Sequence, residues 1–321
     1  MSASHGSKAV VMALLANMGI AVTKFIAFVI SGSAAMLAES VHSVADSGNQ
    51  ALLLLGGRQA RRKADQEHPF GYGRERYIYA FIVAIVLFSV GGLFSIYAGI
   101  EKLQNPHPLE VVWLPIAVLV IAIILESSAL RVAVKESNQV RKPGQSWWSF
   151  IRRSKSPELP VILLEDTAAL LGLVFALLGV GLTILTGNPV WDAVGTLFIG
   201  ALLVLVAIIL GLETKSLLVG EGANLADDRR IRYAMTAHPE VTELIHMKTL
   251  YLGPEELLVA AKLGFAADRS LADISRSTNE IEDAVRAAVP VARVIYIEPD
   301  IFRPLDGPAP PTDAIIIKAA D

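Results

Sequence analysis

The chain has 321 residues, 53% of them hydrophobic, and a net charge of −3, with a mean hydropathy of +0.52. That is too apolar for an ordinary soluble domain of this size and indicates membrane spans with a smaller soluble part; the near-neutral charge gives no sign of nucleic-acid binding. Cysteine is absent, which excludes disulfides and thiolate metal ligands. Any metal must be held by His, Asp, Glu, Asn or backbone oxygen, donors that suit zinc, manganese, iron or cobalt better than copper(I).

Six apolar runs are each long enough to cross a hydrocarbon core, which takes about 20 helical residues. They are placed near 9–31, 33–57, 77–101, 112–135, 160–186 and 190–212. The first run, from Ala9, carries no signal-peptidase site, so no cleavable signal is expected. Ser31-Gly32-Ser33 joins the first two runs in a tight hairpin, and Thr186-Gly187-Asn188-Pro189 joins the last two. Arg58, Arg61, Arg62, Lys63, Arg74 and Arg76 fall in one loop. Arg141, Lys142, Arg152, Arg153 and Lys155 fall in another on the same side, while the opposite side offers little beyond Lys102. By the positive-inside rule both termini face the cytoplasm.

The second span carries Glu39, His42, Asp46 and Asn49, whose 3-4-3 spacing draws one polar stripe down a helix. Ionisable groups at membrane depth face the bundle interior and mark ion or proton paths. His42 and Asp46 lie roughly 14–20 Å along the helix, near mid-membrane, and share a face on which both can close on one metal ion. Ser40, Ser43 and Ser47 read instead as interhelical hydrogen-bonding glue. The fifth span adds Glu165-Asp166 in an apolar setting. Lys24 and Asp192, in the outer halves of their spans, are read as structural: an ion pair with each other, or a Lys24 that snorkels to the interface. Glu126, in the inner half of the fourth span, is read as capping, pairing or lining a path. Trp147-Trp148-Ser149-Phe150 beside Arg152-Arg153 reads as a stretch anchored at the headgroups.

From about Glu213 the composition is that of a soluble domain, with helices over 227–237 and 270–288 and strands over 243–252, 256–265 and 292–298. This αββαβ order predicts a small α+β domain with helices on one face of a three-stranded sheet. The expected division is a transmembrane domain to 212, a cytoplasmic domain over 213–299 and a proline-rich tail over 300–321.

Two runs carry a resemblance. Ala38-Glu39-Ser40-Val41-His42-Ser43-Val44-Ala45-Asp46, followed by His68-Pro69-Phe70-Gly71-Tyr72-Gly73-Arg74, resembles the cation diffusion facilitator family. His42 to Gln50, Trp148-Ser149-Phe150, Leu164-Glu165-Asp166-Thr167-Ala168-Ala169, Thr186 to Pro189 and Asp192 look like its zinc transporter nine branch. Without a targeting extension, a bacterial relative of that branch is expected.

The resemblance implies a six-helix, homodimeric metal/proton antiporter with a ferredoxin-like, metallochaperone-like cytoplasmic domain, in the bacterial inner membrane. Its transport site takes an i, i+4 ligand pair from each of the second and fifth spans. His42 and Asp46 match the first pair and also become the proton-coupling groups. Asp166 matches the last ligand, with Gly172 six residues on, where the family often has glycine. Ile162 falls on the remaining position, so the shell is completed by water, by Glu165 or Asn49, or by a local distortion; Glu39 is a further candidate. A loop site matches at Asp65 and His68, but Tyr72 replaces its final His, and Pro69 and the loop glycines are read as fixing the turn. In the cytoplasmic domain His246 is the one matching ligand position; Lys262 and Tyr296 stand where metal-binding relatives carry His, and His238 reads as a loop residue. That domain is expected to dimerise and to bind little or no metal.

The leading expectation is export of a divalent cation, zinc first, with Mn2+, Fe2+ or Co2+ as further candidates, in exchange for protons. Imidazole titrates near neutral pH and carboxylates must be ionised to ligate, so metal and proton compete for one site. No organic cofactor is expected; no Walker-type loop is present for an ATP-driven pump. Two rivals are weighed: a transport-inactive, metal-responsive scaffold acting through the cytoplasmic domain, and an intramembrane metallohydrolase, against which stands the lack of His-Glu-x-x-His.

Overall fold

Long helices occupy the first two-thirds of the chain. The computed structural model describes residues 18–109, 111 and 113–302. The chain divides into two units, Met1–Gly220 and Glu221–Asp321.

The first unit contains α1 (Met18–Ser31), α2 (Ala34–Gln59), α3 (Glu75–Gln104), α4 (Trp113–Val140), the short α5 (Trp147–Arg153), α6 (Glu158–Thr186) and α7 (Val190–Val219). Among the described residues, α3, α4, α6 and α7 are the four helices long and apolar enough to cross a membrane. The expected start of α1 lies outside the described residues. At 26 residues, α2 reaches about 39 Å, but its polar stripe lowers its hydropathy. The helices that run furthest past expectation are α4, which continues past 135 to Val140, and α7, which continues past 212 to Val219. The two units meet in sequence at Gly220, just past the end of α7.

Large side chains such as Leu54, Ile85, Ile121, Ile124, Leu178, Leu205 and Leu212 are exposed, the surface a lipid solvent requires. Inside, Leu87, Leu119, Leu173, Ile199, Leu203 and Leu210 form the core. The α6–α7 hairpin is tight because glycines face each other. A Cβ on Gly179 would stand 2.8 Å from the Trp191 carbonyl, and one on Gly195 2.8 Å from the Phe175 carbonyl. Small residues of this kind let membrane helices approach closely. In α3 the segment Leu87–Leu93 is π-helical, a departure that occurs mostly as single turns and often at functional sites.

The start of α2 is tied to α7. Ser33 caps the helix, and its hydroxyl donates to Asp192 Oδ1 at 2.7 Å while the Ala34 N–H donates to Oδ2 at 2.8 Å. A carboxylate at a helix N-terminus satisfies free amides and opposes the positive end of the dipole. Lys102 donates to the Gly32 carbonyl at 2.8 Å. Asp192 is therefore a helix cap, not the ion-pair partner of Lys24.

The expected headgroup stretch is α5, and it packs inward. Trp147 and Ile151 join Ala133 and Leu163, Phe150 is buried, and Trp148 is exposed. Arg141 stacks over Trp147 at 4.2 Å, a cation–π contact.

The second unit has the αββαβ order: α8 (Leu225–Thr236), β1 (Glu243–Gly253), β2 (Glu256–Gly264), α9 (Leu271–Ala288) and β3 (Ala292–Asp300). Strand β2 is central, antiparallel to β1 and parallel to β3. The parallel pair needs a crossover, which α9 supplies. Alternate β2 residues Leu257, Val259, Ala261 and Leu263 meet Ile231 and Met235 of α8 and Ile281 and Val285 of α9, so both helices cover one face. β3 runs on through Pro299 and Asp300, which pair with Leu263 and Gly264. The rest of the expected tail, from residue 303, lies outside the described residues.

Candidate metal site

The inward face of α2 gathers the polar stripe. Glu39 and Asn49 are 0% exposed and His42 1%, whereas Asp46 keeps 13% of its side chain exposed. Asp46 reaches a small cavity lined by Ile20, Ser43, Asp46 and Glu126. His42 Nδ1 lies 3.4 Å from Asp46 Oδ1, with neither atom in an aligned hydrogen bond. Asn49 Nδ2 donates to Glu165 Oε1 on α6 at 2.8 Å, and Glu165 lies within hydrogen-bonding reach of Asp46. These contacts bring His42, Asp46, Asn49 and Glu165 together. Among the described residues no three His, Asp or Glu side chains are yet close enough to hold one ion.

Several buried polar atoms here have no hydrogen-bond partner in the protein. Both His42 nitrogens, Asp46 Oδ1, Asn49 Oδ1 and Glu39 Oε1 are buried without a hydrogen-bond partner. A protein interior satisfies almost all such atoms, and exceptions concentrated on one helix face call for a chemical reason. Nitrogen and oxygen donors in this mixture suit a divalent first-row cation. Two carboxyls in contact, Asp46 and Glu165, repel unless a proton or cation lies between them.

Asp166 does not join the group. It lies about 100° round the helix from Glu165, is half-buried, and has Glu165 and Glu126 as its electrostatic neighbours. Ile162 packs with the apolar clusters on α6. Glu126 lines the cavity beside Asp46.

Lys24 neither pairs with Asp192 nor snorkels. Its Nζ is buried, 3.0 Å from Glu39 Oε2 and 2.8 Å from Ser43 Oγ. Depth along the spans suggested Asp192; rotation of α1 against α2 decides for Glu39. Ser40 and Ser47 bond to the backbone of their own helix. Two glycines bound the stripe. A Cβ on Gly172 would stand 2.9 Å from Glu39 Oε1, and one on Gly91, in the π-helical turn, 3.8 Å from His42 Nδ1.

In the loop before α3, both Asp65 oxygens have protein donors. Oδ1 accepts from the His68 N–H at 2.8 Å and Oδ2 from the Tyr72 hydroxyl at 2.6 Å. Arg62 stacks on the Tyr72 ring at 4.1 Å. The Tyr72 hydroxyl, then the His68 amide, hold the Asp65 carboxyl below its ordinary range, and Asp65 pushes the Tyr72 phenol up. In the second unit His246 lies opposite Lys262, and Lys262 opposite Glu298. Lys262 Nζ is 3.0 Å from Glu298 and 2.9 Å from Asp300. Asp300 first, then Glu298, raise its ammonium above the usual value. His238 contacts Glu280 at 3.0 Å.

Comparison with known proteins decides the family. The cation efflux transmembrane domain matches residues 10–219.

The chain belongs to the cation efflux family.

It is 34% identical over 243 residues to the proton-coupled zinc antiporter SLC30A9, mitochondrial, of Homo sapiens, covering 75% of this chain and 43% of that protein. It is 31% identical over 262 residues to metal tolerance protein C4 of Arabidopsis thaliana, covering 81% and 57%. The cation-efflux pump FieF of Klebsiella pneumoniae is 24% identical over 298 residues, covering 92% and 94%. The chain thus spans less than half the length of the mitochondrial antiporters it matches. Family and apolar helices together make this cation efflux protein a multi-pass membrane protein near the zinc transporter nine branch.

Proposed function

We propose that this cation efflux protein carries a divalent cation, zinc first, out of the cytoplasm in exchange for protons. The observation that carries the reading is the group of buried polar atoms without hydrogen-bond partners on His42, Asp46 and Asn49, against Glu165. Loading an ion requires an exchange of partners: Glu165 gives up the Asn49 amide, and whatever proton lies between Asp46 and Glu165 leaves as the metal arrives. Metal binding needs neutral imidazole and ionised carboxylates, so each ion taken up releases protons. His42 and Asp46 are the ligands that also carry the proton exchange, with Glu165 and Asn49 completing the shell in place of Asp166 and Ile162. The names of the similar antiporter and efflux pump support metal and proton as substrates.

The working protein is proposed to be a homodimer with six spans per chain and both termini cytoplasmic, in a bacterial inner membrane. Lys262, by its ammonium between Glu298 and Asp300, fills with a fixed charge a place where a cation would otherwise sit; the Asp65–Tyr72 clasp does the same for the loop with a hydroxyl donor. Alternating access then rests on helices moving around one membrane site. In proteoliposomes, zinc uptake should follow an imposed pH gradient and stop when the gradient is collapsed. His42→Ala or Asp46→Ala transporting as fast as wild type would refute the site.

A further inference from the structure

We propose that Lys24 is the built-in counter-cation of the metal chamber and sets its selectivity by holding Glu39 off the metal; the inference rests on the site assignment above. Lys24 belongs to α1, and its ammonium reaches across to α2, 3.0 Å from Glu39 Oε2 and 2.8 Å from Ser43 Oγ. Glu39 precedes His42 by three residues and Ser43 follows it, so the ammonium stands one helical turn along the same stripe as the proposed ligands. Both partners of the ion pair are fully buried, at 1% and 0% exposure. Apolar side chains of similar volume would pack this place as well or better, so packing alone does not account for the pair.

The second carboxylate oxygen of Glu39 is the telling atom. Oε1 is buried without a partner and held against α6, where a Cβ on Gly172 would stand 2.9 Å away. Glu39 therefore retains donor capacity one turn from His42 and is restrained by Lys24. The fully or largely buried carboxyls of the chamber are Glu39, Asp46 and Glu165. Glu126 lines the cavity beside Asp46, and Asp166 is half-buried. Release of Glu39 would add an oxygen donor and a negative charge, a change that favours harder cations such as manganese over zinc.

The test is calorimetric titration of the purified full-length protein in detergent micelles with zinc chloride and with manganese chloride. Lys24→Met should shift the ratio of the two dissociation constants toward manganese by about tenfold, within the range of coupling between contacting groups. The double variant Lys24→Met with Glu39→Gln should return it to the wild-type ratio. An unchanged ratio in Lys24→Met, or the same shift in the double variant, overturns the proposal. Should Lys24→Met aggregate, Glu39→Gln decides alone. With Glu39 held off the metal its ratio stays at the wild-type value, whereas a selective loss of manganese affinity means that Glu39 already ligates, and overturns the proposal. His42→Ala separates the two levels: zinc binding as tight as wild type there refutes the site assignment itself, whatever Lys24 does.

Discussion

Replacing Asp192 by Ala should loosen the start of the helix that carries the site. Three groups lose an acceptor: the Ser33 hydroxyl at 2.7 Å, the Ala34 amide at 2.8 Å and the more distant Ala35 amide at 3.4 Å. The place is buried, with Asp192 at 0% exposure, so water does not replace the lost acceptor. Each stranded donor costs about 1–3 kcal/mol. The Ser33 hydroxyl can turn elsewhere and the Ala35 bond is weak, which leaves a total of about 3–4 kcal/mol, mostly from Ala34 and the lost charge at the helix terminus. Asp192→Asn keeps one oxygen acceptor and should cost about 1–2 kcal/mol. Reversible unfolding of the purified protein in mixed micelles measures the loss. Amide exchange at Ala34 and Ala35 should rise in the same variants. A cost for Asp192→Ala below about 0.5 kcal/mol, the scale of a neutral surface change, would show that the cap does not hold α2.

Three further predictions concern the site's surroundings. Gly172→Ala forces Glu39 Oε1 to move from 2.9 Å and should destabilise by about 1–3 kcal/mol, as overpacking does, seen as a lower midpoint in the same unfolding assay. The Tyr72 hydroxyl keeps the Asp65 carboxyl low, so this contact supports the loop above the ordinary carboxylate range and is lost as pH falls through the depressed value. Tyr72→Phe should move the Asp65 titration upward, read by carboxyl-carbon magnetic resonance. Burial first, and Asp227 second, push the Tyr251 phenol up to about 12. Its contribution is therefore complete below about pH 10 and fades as pH rises toward 12, by about 2–3 kcal/mol in all. Tyr251→Phe should remove a step near pH 12 from the tyrosinate absorbance titration.

Much of the fold was legible because its signals are periodic. The αββαβ order follows from strands bounded by turns and from an amphipathic α9, and the stripe from Glu39 to Asn49 follows from spacing on one helix. Relations between helices were not legible in that way. Depth along the spans offers Lys24 either Asp192 or the interface, but partner choice depends on how α1 rotates against α2, and the structure gives Lys24 to Glu39. Family register points to Asp166 rather than Glu165. The structure turns Glu165 toward Asn49 and Asp46, a difference of about 100° that apolar periodicity cannot resolve on a helix whose lipid-facing and core-facing sides are both apolar. The π-helical turn beside His42 shifts register within α3, and its only sequence trace is the Gly91-Gly92 pair. The aromatic stretch at Trp147 looked interfacial by composition; its inward packing depends on a space between α4 and α6 that composition does not describe.

In the proposed site Glu165, not Asp166, joins His42, Asp46 and Asn49. Zinc uptake into liposomes under one imposed pH gradient, compared for wild type, Glu165→Gln and Asp166→Asn, tests it most directly. Glu165→Gln should abolish uptake, and Asp166→Asn should retain most of the wild-type rate. Full activity in Glu165→Gln together with none in Asp166→Asn would contradict it.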